Sequence, residues 1–244
     1  MLKVYVVVEG YTERAVIQQV FAPHLANQGI LLFPRIIGKP GKKGGDCKFQ
    51  RVLPEICNLI LQENDTFVTT FFDYYALPTD WPNREESRQL SSFQQKAETI
   101  ETGLKEAVLG EFKKLDPIRF IPYIQMHELE ALLFADCKVM GDILGCGEFS
   151  FQKILDDHEG ECEAINDSKT TAPSKRIMEI VPFYKKGSSV NAHGWRILKQ
   201  IGMQKIRKQC IRFNDWVHKL ELLAATQRHA ESYKPPSGFT EAIR

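Results

Sequence analysis

Apolar positions along the first hundred and thirty residues switch repeatedly between a strand-like and a helical period. Lys3–Val8 (KVYVVV) is β-branched and nearly all apolar, the pattern of a central parallel strand covered on both faces. Glu9-Gly10-Tyr11 reads as a turn, with Thr12 the predicted N-cap of a helix from Glu13. Val16, Ile17, Val20 and Phe21 return at helical spacing, and Pro23 is the expected stop. Ile30–Ile37 predicts a second strand, which Pro34 assigns to a sheet edge or a bulge. A basic Gly/Pro loop, Gly38–Asp46, leads to a helix around Pro54–Gln62 with its proline near the start.

Thr66–Phe72 (TFVTTFF) predicts a third strand, ending abruptly in Asp73-Tyr74-Tyr75. Leu90, Phe93, Ala97, Ile100, Leu104, Val108 and Phe112 keep spacings of three and four, predicting one long amphipathic helix. Arg119–Met126 is the fourth strand, with Pro122 as a blemish. His127-Glu128-Leu129-Glu130 then turns into Ala131–Asp136, a short apolar helix, and beyond Lys138 the pattern is helical and irregular.

Strands separated by helices pair in parallel through right-handed crossovers. The predicted fold is α/β: a parallel sheet of about four strands flanked by helices, with a mainly helical C-terminal region. Residues 1–137 form the α/β domain and residues 138–244 a helical, basic region packed on it. Ligands of such sheets collect at the carboxyl ends of the strands. Those ends carry Glu9, the Gly38–Asp46 loop, Asp73, and His127 with Glu128 and Glu130.

The formal charge of +1 argues against a strong field for nucleic acid, but it is an average over unequal halves. Up to Ser168 there are 17 basic and 26 acidic residues; from Lys169 onward there are 15 and 5. An acidic front of −9 therefore meets a basic back of +10. The back reads either as a solvated helical face or as a phosphate-facing surface. No run approaches the ~20 apolar residues of a membrane span, and Glu9 cuts the first apolar stretch short of a signal-peptide core. Six scattered cysteines without CxxC pairs read as reduced thiols of a cytoplasmic chain.

Carboxylates gathered on one rim repel one another unless a cation joins them. Oxygen ligands without a thiolate or histidine cluster favour Mg²⁺ or Mn²⁺, which makes Glu9, Asp73, Glu128 and Glu130 candidate metal ligands. Glu13, one helical turn after Glu9, is a candidate base or a first-turn acid serving the helix dipole. His127 reads more readily as a hydrogen-bonding residue than as a ligand, and HELE lacks the second histidine of the zinc-protease pattern. Lys42 and Lys43 lie in a loop with the composition of a phosphate cradle, though not of a Walker A sequence. Lys175-Arg176 and the cluster Lys205, Arg207 and Lys208 are candidate phosphate contacts. Trp195 and Trp216 read as core anchors of the tail.

The string VVVEGYTE, Val6 to Glu13, resembles the first motif of Toprim-type domains, and Asp73 in TTFFDYY stands where those domains place an Asp-x-Asp motif. FFDYYALPTDWP, RFIPYIQMHELEALLFAD, TAPSKRI and IGMQKIRKQCIRFNDWVHKLE together resemble domain-of-unknown-function family 4276, over Val4 to about Glu221. That family is a Toprim-like group often encoded beside AAA-type ATPases in bacterial defence islands. The resemblance implies a Mg²⁺-dependent nuclease acting on DNA or RNA, with Glu9 as general acid/base and Asp73 as the first metal aspartate. Tyr75 replaces the second aspartate, leaving Glu128 or Glu130 to supply that carboxylate. Related nucleases of the overcoming-lysogenization-defect group add a lysine, and by the same resemblance Lys175 takes that place. The alternatives are a non-catalytic sensor or partner subunit docking on an AAA-type ATPase, and an enzyme acting on a small phosphoester. Self-association is left open.

Overall fold

The computed structural model describes residues 1–39, 42–43, 47–62, 65–165, 168, 170–184 and 193–232. The strands are β1 (Leu2–Val8), β2 (Ile30–Ile36), the hairpin pair β3 (Gly38–Lys39) and β4 (Lys42–Lys43), β5 (Phe67–Asp73), β6 (Phe120–Ile121) and β7 (Ile124–Gln125). The main sheet is parallel throughout, in the order β2-β1-β5-β6, with β7 also on β5. Among its described strands β1 and β5 are central, and their near-continuous apolar runs are buried on both faces. Pro34 lies on the outer strand β2, where its missing N–H costs least.

The expected fourth strand is broken in two at Pro122. Thr70 of β5 bridges the gap: its hydroxyl donates to the Tyr123 carbonyl and accepts the Tyr123 N–H, each at 2.8 Å. A side chain thus replaces one rung of the ladder, and β7 resumes in register with Phe72 and Asp73.

Helices cover both faces. On one lie α1 (Tyr11–Val16), a π-turn over Ile17–Phe21, and α2 (Ala22–Ala26). The helix expected to stop at Pro23 continues, because the widened turn precedes the proline, which sits in the first turn of α2. The other face is covered by α3 (Phe49–Gln62), α4 (Arg84–Gln89) and α5 (Phe93–Gly110). Pro54 falls inside α3 rather than at its start. The predicted long helix begins later than its periodicity suggested: Leu90 is extended, and Ser92 accepts the Gln95 N–H as the cap of α5.

After β7 the chain enters a 3₁₀ run, Leu129–Asp136, in place of the expected α-helix; Leu129 to Ala135 are all buried. Then follow α6 (Cys137–Leu144), α7 (Phe149–Asp156), α8 (Pro173–Ile180), α9 (Trp195–Ile201), α10 (Met203–Gln209) and α11 (Ile211–Ser232). These helices share one core with β1, β2 and the first-face helices. Its centre is aromatic: Trp216 stacks on Tyr123 with centroids 5.0 Å apart and donates its indole N–H to Thr69 at 2.9 Å. Trp216 is thus the anchor its sequence position suggested, and Trp195 packs half-buried on the same core. Among the described residues no helix is long and apolar enough to cross a membrane. All six cysteines are free thiols.

The start of α11 is held by Glu163, whose two carboxylate oxygens accept the N–H groups of Arg212 and Phe213 at 2.8 and 3.2 Å. Glu163 is fully buried, and desolvation pushes its carboxyl from 4.5 to about 7. The folded protein therefore holds this proton more tightly than the unfolded chain does. Stability should fall as pH rises from about 4.5 to 7, by about 3 kcal/mol for this group. Urea midpoints across that range should show the slope, and Glu163→Gln should flatten it whatever it costs in absolute stability.

Candidate active site

Three neighbouring strands stop together. Val8 of β1 pairs with Phe71 of β5, and Phe72 pairs with Ile124 of β7, so Glu9, Asp73 and the segment from Met126 emerge on one rim. Asp73 is 6% exposed, and its Oδ1 accepts the Leu129 N–H at 2.8 Å. That bond ties the end of β5 to the first residue of the 3₁₀ run and fixes where Glu128 and Glu130 fall. Glu128 is fully buried and accepts the Ser174 N–H at 2.9 Å, while Glu130 is 2% exposed. Since Ser174 lies in the first turn of α8, Glu128 meets the positive end of that helix.

Glu9 is half-buried in the bend after β1. Gly10, not Thr12, caps α1, and Glu13 accepts the Gly10 N–H at 2.8 Å. Glu13 therefore holds the turn that presents Glu9. His127 is 3% exposed; its Nδ1 bonds the Ile165 carbonyl at 2.8 Å, and its own carbonyl accepts the Tyr75 N–H at 3.0 Å. It pins the rim segment, the hydrogen-bonding role the sequence suggested. Half-buried Tyr75 thus contributes its amide to that pinning.

Of the cationic candidates, Lys175 and Arg176 are both half-buried in α8 and follow in sequence the residue whose N–H binds Glu128. Lys42 and Lys43 form β4 of the hairpin that follows β2; the rest of the Gly38–Asp46 loop beyond Lys39, and both lysine side chains, lie outside the described residues. Lys205 and Arg207 are not gathered at the rim. Lys205 pairs with Asp136 at 2.6 Å, eight residues of 3₁₀ run and about 16 Å beyond Glu128 at ~2 Å per residue. Arg207 makes a two-bond pair with Glu221 at 2.6 and 2.9 Å and also reaches Asn214. The tail charge is thus partly neutralised within the fold, which a count along the sequence does not register. Lys208 is exposed on α10.

Among the described residues no three His, Cys, Asp or Glu side chains already stand in ligand geometry. The donors that do share the rim are oxygens of mixed kind. The hydroxyls of Ser174 and Tyr184 are buried and have no hydrogen-bond partner. Burial, with the Glu130 and Glu128 carboxylates near it, pushes the Tyr184 phenol far above its ordinary value. An all-oxygen set with orphaned hydroxyls fits a hard divalent cation better than a soft one. Sequence reasoning missed both residues: Ser174 lies in TAPSKRI, where only Lys175 and Arg176 drew attention, and VPFYKKG offers no signal beyond a loop.

The model of a family described as "domain of unknown function (DUF4276)" matches residues 8–221 of the 244. No curated protein and no solved structure matches the chain.

Proposed function

The chain belongs to the DUF4276 family, and on that premise we propose that it is a Mg²⁺- or Mn²⁺-dependent, Toprim-like nuclease hydrolysing DNA or RNA phosphodiesters. The observation that carries this reading is the rim itself: Asp73 and the two buried carboxylates Glu128 and Glu130 at the carboxyl end of a parallel sheet, with Lys175 one residue from the group that binds Glu128. Asp73, Glu128 and Glu130 would hold the cation, Glu128 or Glu130 standing in for the aspartate that Tyr75 replaces. A divalent ion there would polarise a phosphoryl oxygen and acidify a water. Glu9, on its bend, is the group able to take and return a proton while Glu13 keeps the turn closed. Lys175 would meet the charge that develops on phosphate, and Arg176 and Lys208 would hold the strand. By the family resemblance, the setting is cytoplasmic antiviral defence with an AAA-type ATPase partner.

Purified protein should cut DNA or RNA only with Mg²⁺ or Mn²⁺ present and stop on chelation. Nucleic acids left intact in every combination, with and without the ATPase, would sink the enzyme reading. One observation favours a second reading, a non-catalytic subunit docking on that ATPase: Tyr75 in the aspartate position, its amide spent on the His127 carbonyl. Stable ATPase binding by a protein that neither cuts nucleic acid nor binds Mn²⁺ would favour it.

A further inference from the structure

Among the described residues three tyrosines are at most 2% exposed, and two of them are conventionally satisfied. The Tyr74 hydroxyl meets Ser87 at 2.9 Å, and the Tyr123 hydroxyl donates to Gln125 at 2.8 Å. Tyr184 is as buried as they are, at 1% exposure, yet its hydroxyl bonds nothing. The hydroxyl of Ser174, at 0% exposure, is in the same state. Leaving one such group without a partner costs about 1–3 kcal/mol, so the two call for a physical reason.

Their surroundings supply one. Ser174 is fixed against Glu128 through its own N–H, and the carboxylates of Glu128 and Glu130 both act on the Tyr184 phenol. A hydroxyl beside a carboxylate normally donates to it; these two do not. Both hydroxyls thus lie in the neighbourhood of the two carboxylates without donating to either. Orphaned hydroxyls beside carboxylates supply the oxygens that a hard divalent cation takes, directly or through its waters.

We propose that Ser174 and Tyr184 complete the cation site of the rim, their hydroxyls filling with Glu128 and Glu130 an oxygen shell for one divalent ion. This rests on the metal-dependent reading above and adds two residues to it. Ser174 contributes hydroxyl lone pairs, and Tyr184 contributes an O–H able to donate to an oxygen in the shell. The site is thereby assembled from both sides of the sequence split: the acids from the segment after β7, the hydroxyls from α8 and the turn that follows it.

Tyr184→Phe and Ser174→Ala separate this from an ordinary structural role. A hydroxyl without a protein partner can be deleted without loss, so the metal-free variants should melt at or above the wild-type temperature. Mn²⁺ alone should raise the wild-type melting temperature, and each variant should need at least tenfold more Mn²⁺ for the same rise. Unchanged Mn²⁺ dependence in both variants would overturn the assignment, as would a wild type indifferent to Mn²⁺ or a clear drop in metal-free stability. Cleavage is scored separately. Variants that lose Mn²⁺ binding beside a wild type that binds Mn²⁺ but cuts nothing would support the cation site while sinking the nuclease reading. A wild type that cuts, with variants of unaltered Mn²⁺ response, would do the reverse.

Discussion

The Asp73→Asn protein should fold normally and lose metal-dependent cleavage by about 10²–10³-fold or more, the scale on which removal of one aimed polar group is felt. Asparagine is the informative replacement because Asp73 has a structural duty. Its Oδ1 accepts the buried N–H of Leu129, and an amide oxygen can do the same. The start of the 3₁₀ run is then kept, and what disappears is the negative charge and one hard oxygen. Alanine would confound the two, since an unpaired buried N–H alone costs about 1–3 kcal/mol. Glu9→Gln, at a half-buried bend, should lower the chemical step by about 10²–10⁴ through loss of acid–base function. Single-turnover rates with Mn²⁺, beside urea midpoints, check both. A folded Asp73→Asn protein cutting at the wild-type rate would show that this rim is not where chemistry happens.

What could be read from the chain and what could not divide along a physical line. β1 and β5 were legible because a strand buried on both faces must be continuously apolar, and Glu9 and Asp73 stood out as the first charges after such runs. The edge position of Pro34 followed from its missing N–H. The long helix was misjudged at its start because periodicity continues through Leu90 while the backbone stops for the Ser92 cap. Pro122 was visible as a flaw, but not that Thr70 would repair the ladder with its side chain. Ser174 and Tyr184 could not be found, since their standing rests on which atoms lack partners in three dimensions. The basic tail erred in the opposite direction: charges adjacent in sequence find separate acids in space, Lys205 at Asp136 and Arg207 at Glu221.

The same principle gives the largest expected loss of stability, at a pair no motif marks. Arg212 reaches Glu101, and both side chains are about 10% exposed. The same Glu101 oxygen accepts the Ile124 N–H at 3.0 Å, so the pair braces β7, the strand that leads to the rim. Arg212→Met would leave a buried carboxylate without its counter-charge, a change that costs about 3–5 kcal/mol. Against a total stability of about 5–15 kcal/mol, that is enough to weaken the rim as well as the core. Desolvation already pushes the Glu101 carboxyl above its ordinary value with Arg212 beside it, and removing the guanidinium pushes it further. The sign of the pH dependence follows. As pH falls through that raised value the stranded carboxylate takes up a proton, so the penalty of Arg212→Met should shrink at pH 5 relative to pH 8. Adding Glu101→Gln, whose amide oxygen still accepts from Ile124, should recover part of the loss at pH 8 and narrow the difference between the two pH values, the remainder belonging to Glu163, whose carboxyl Arg212 also holds down. A single variant costing less than about 1 kcal/mol at pH 8 would mean that solvent reaches this pair, and that β7 is held by the Phe72 and Asp73 pairing alone.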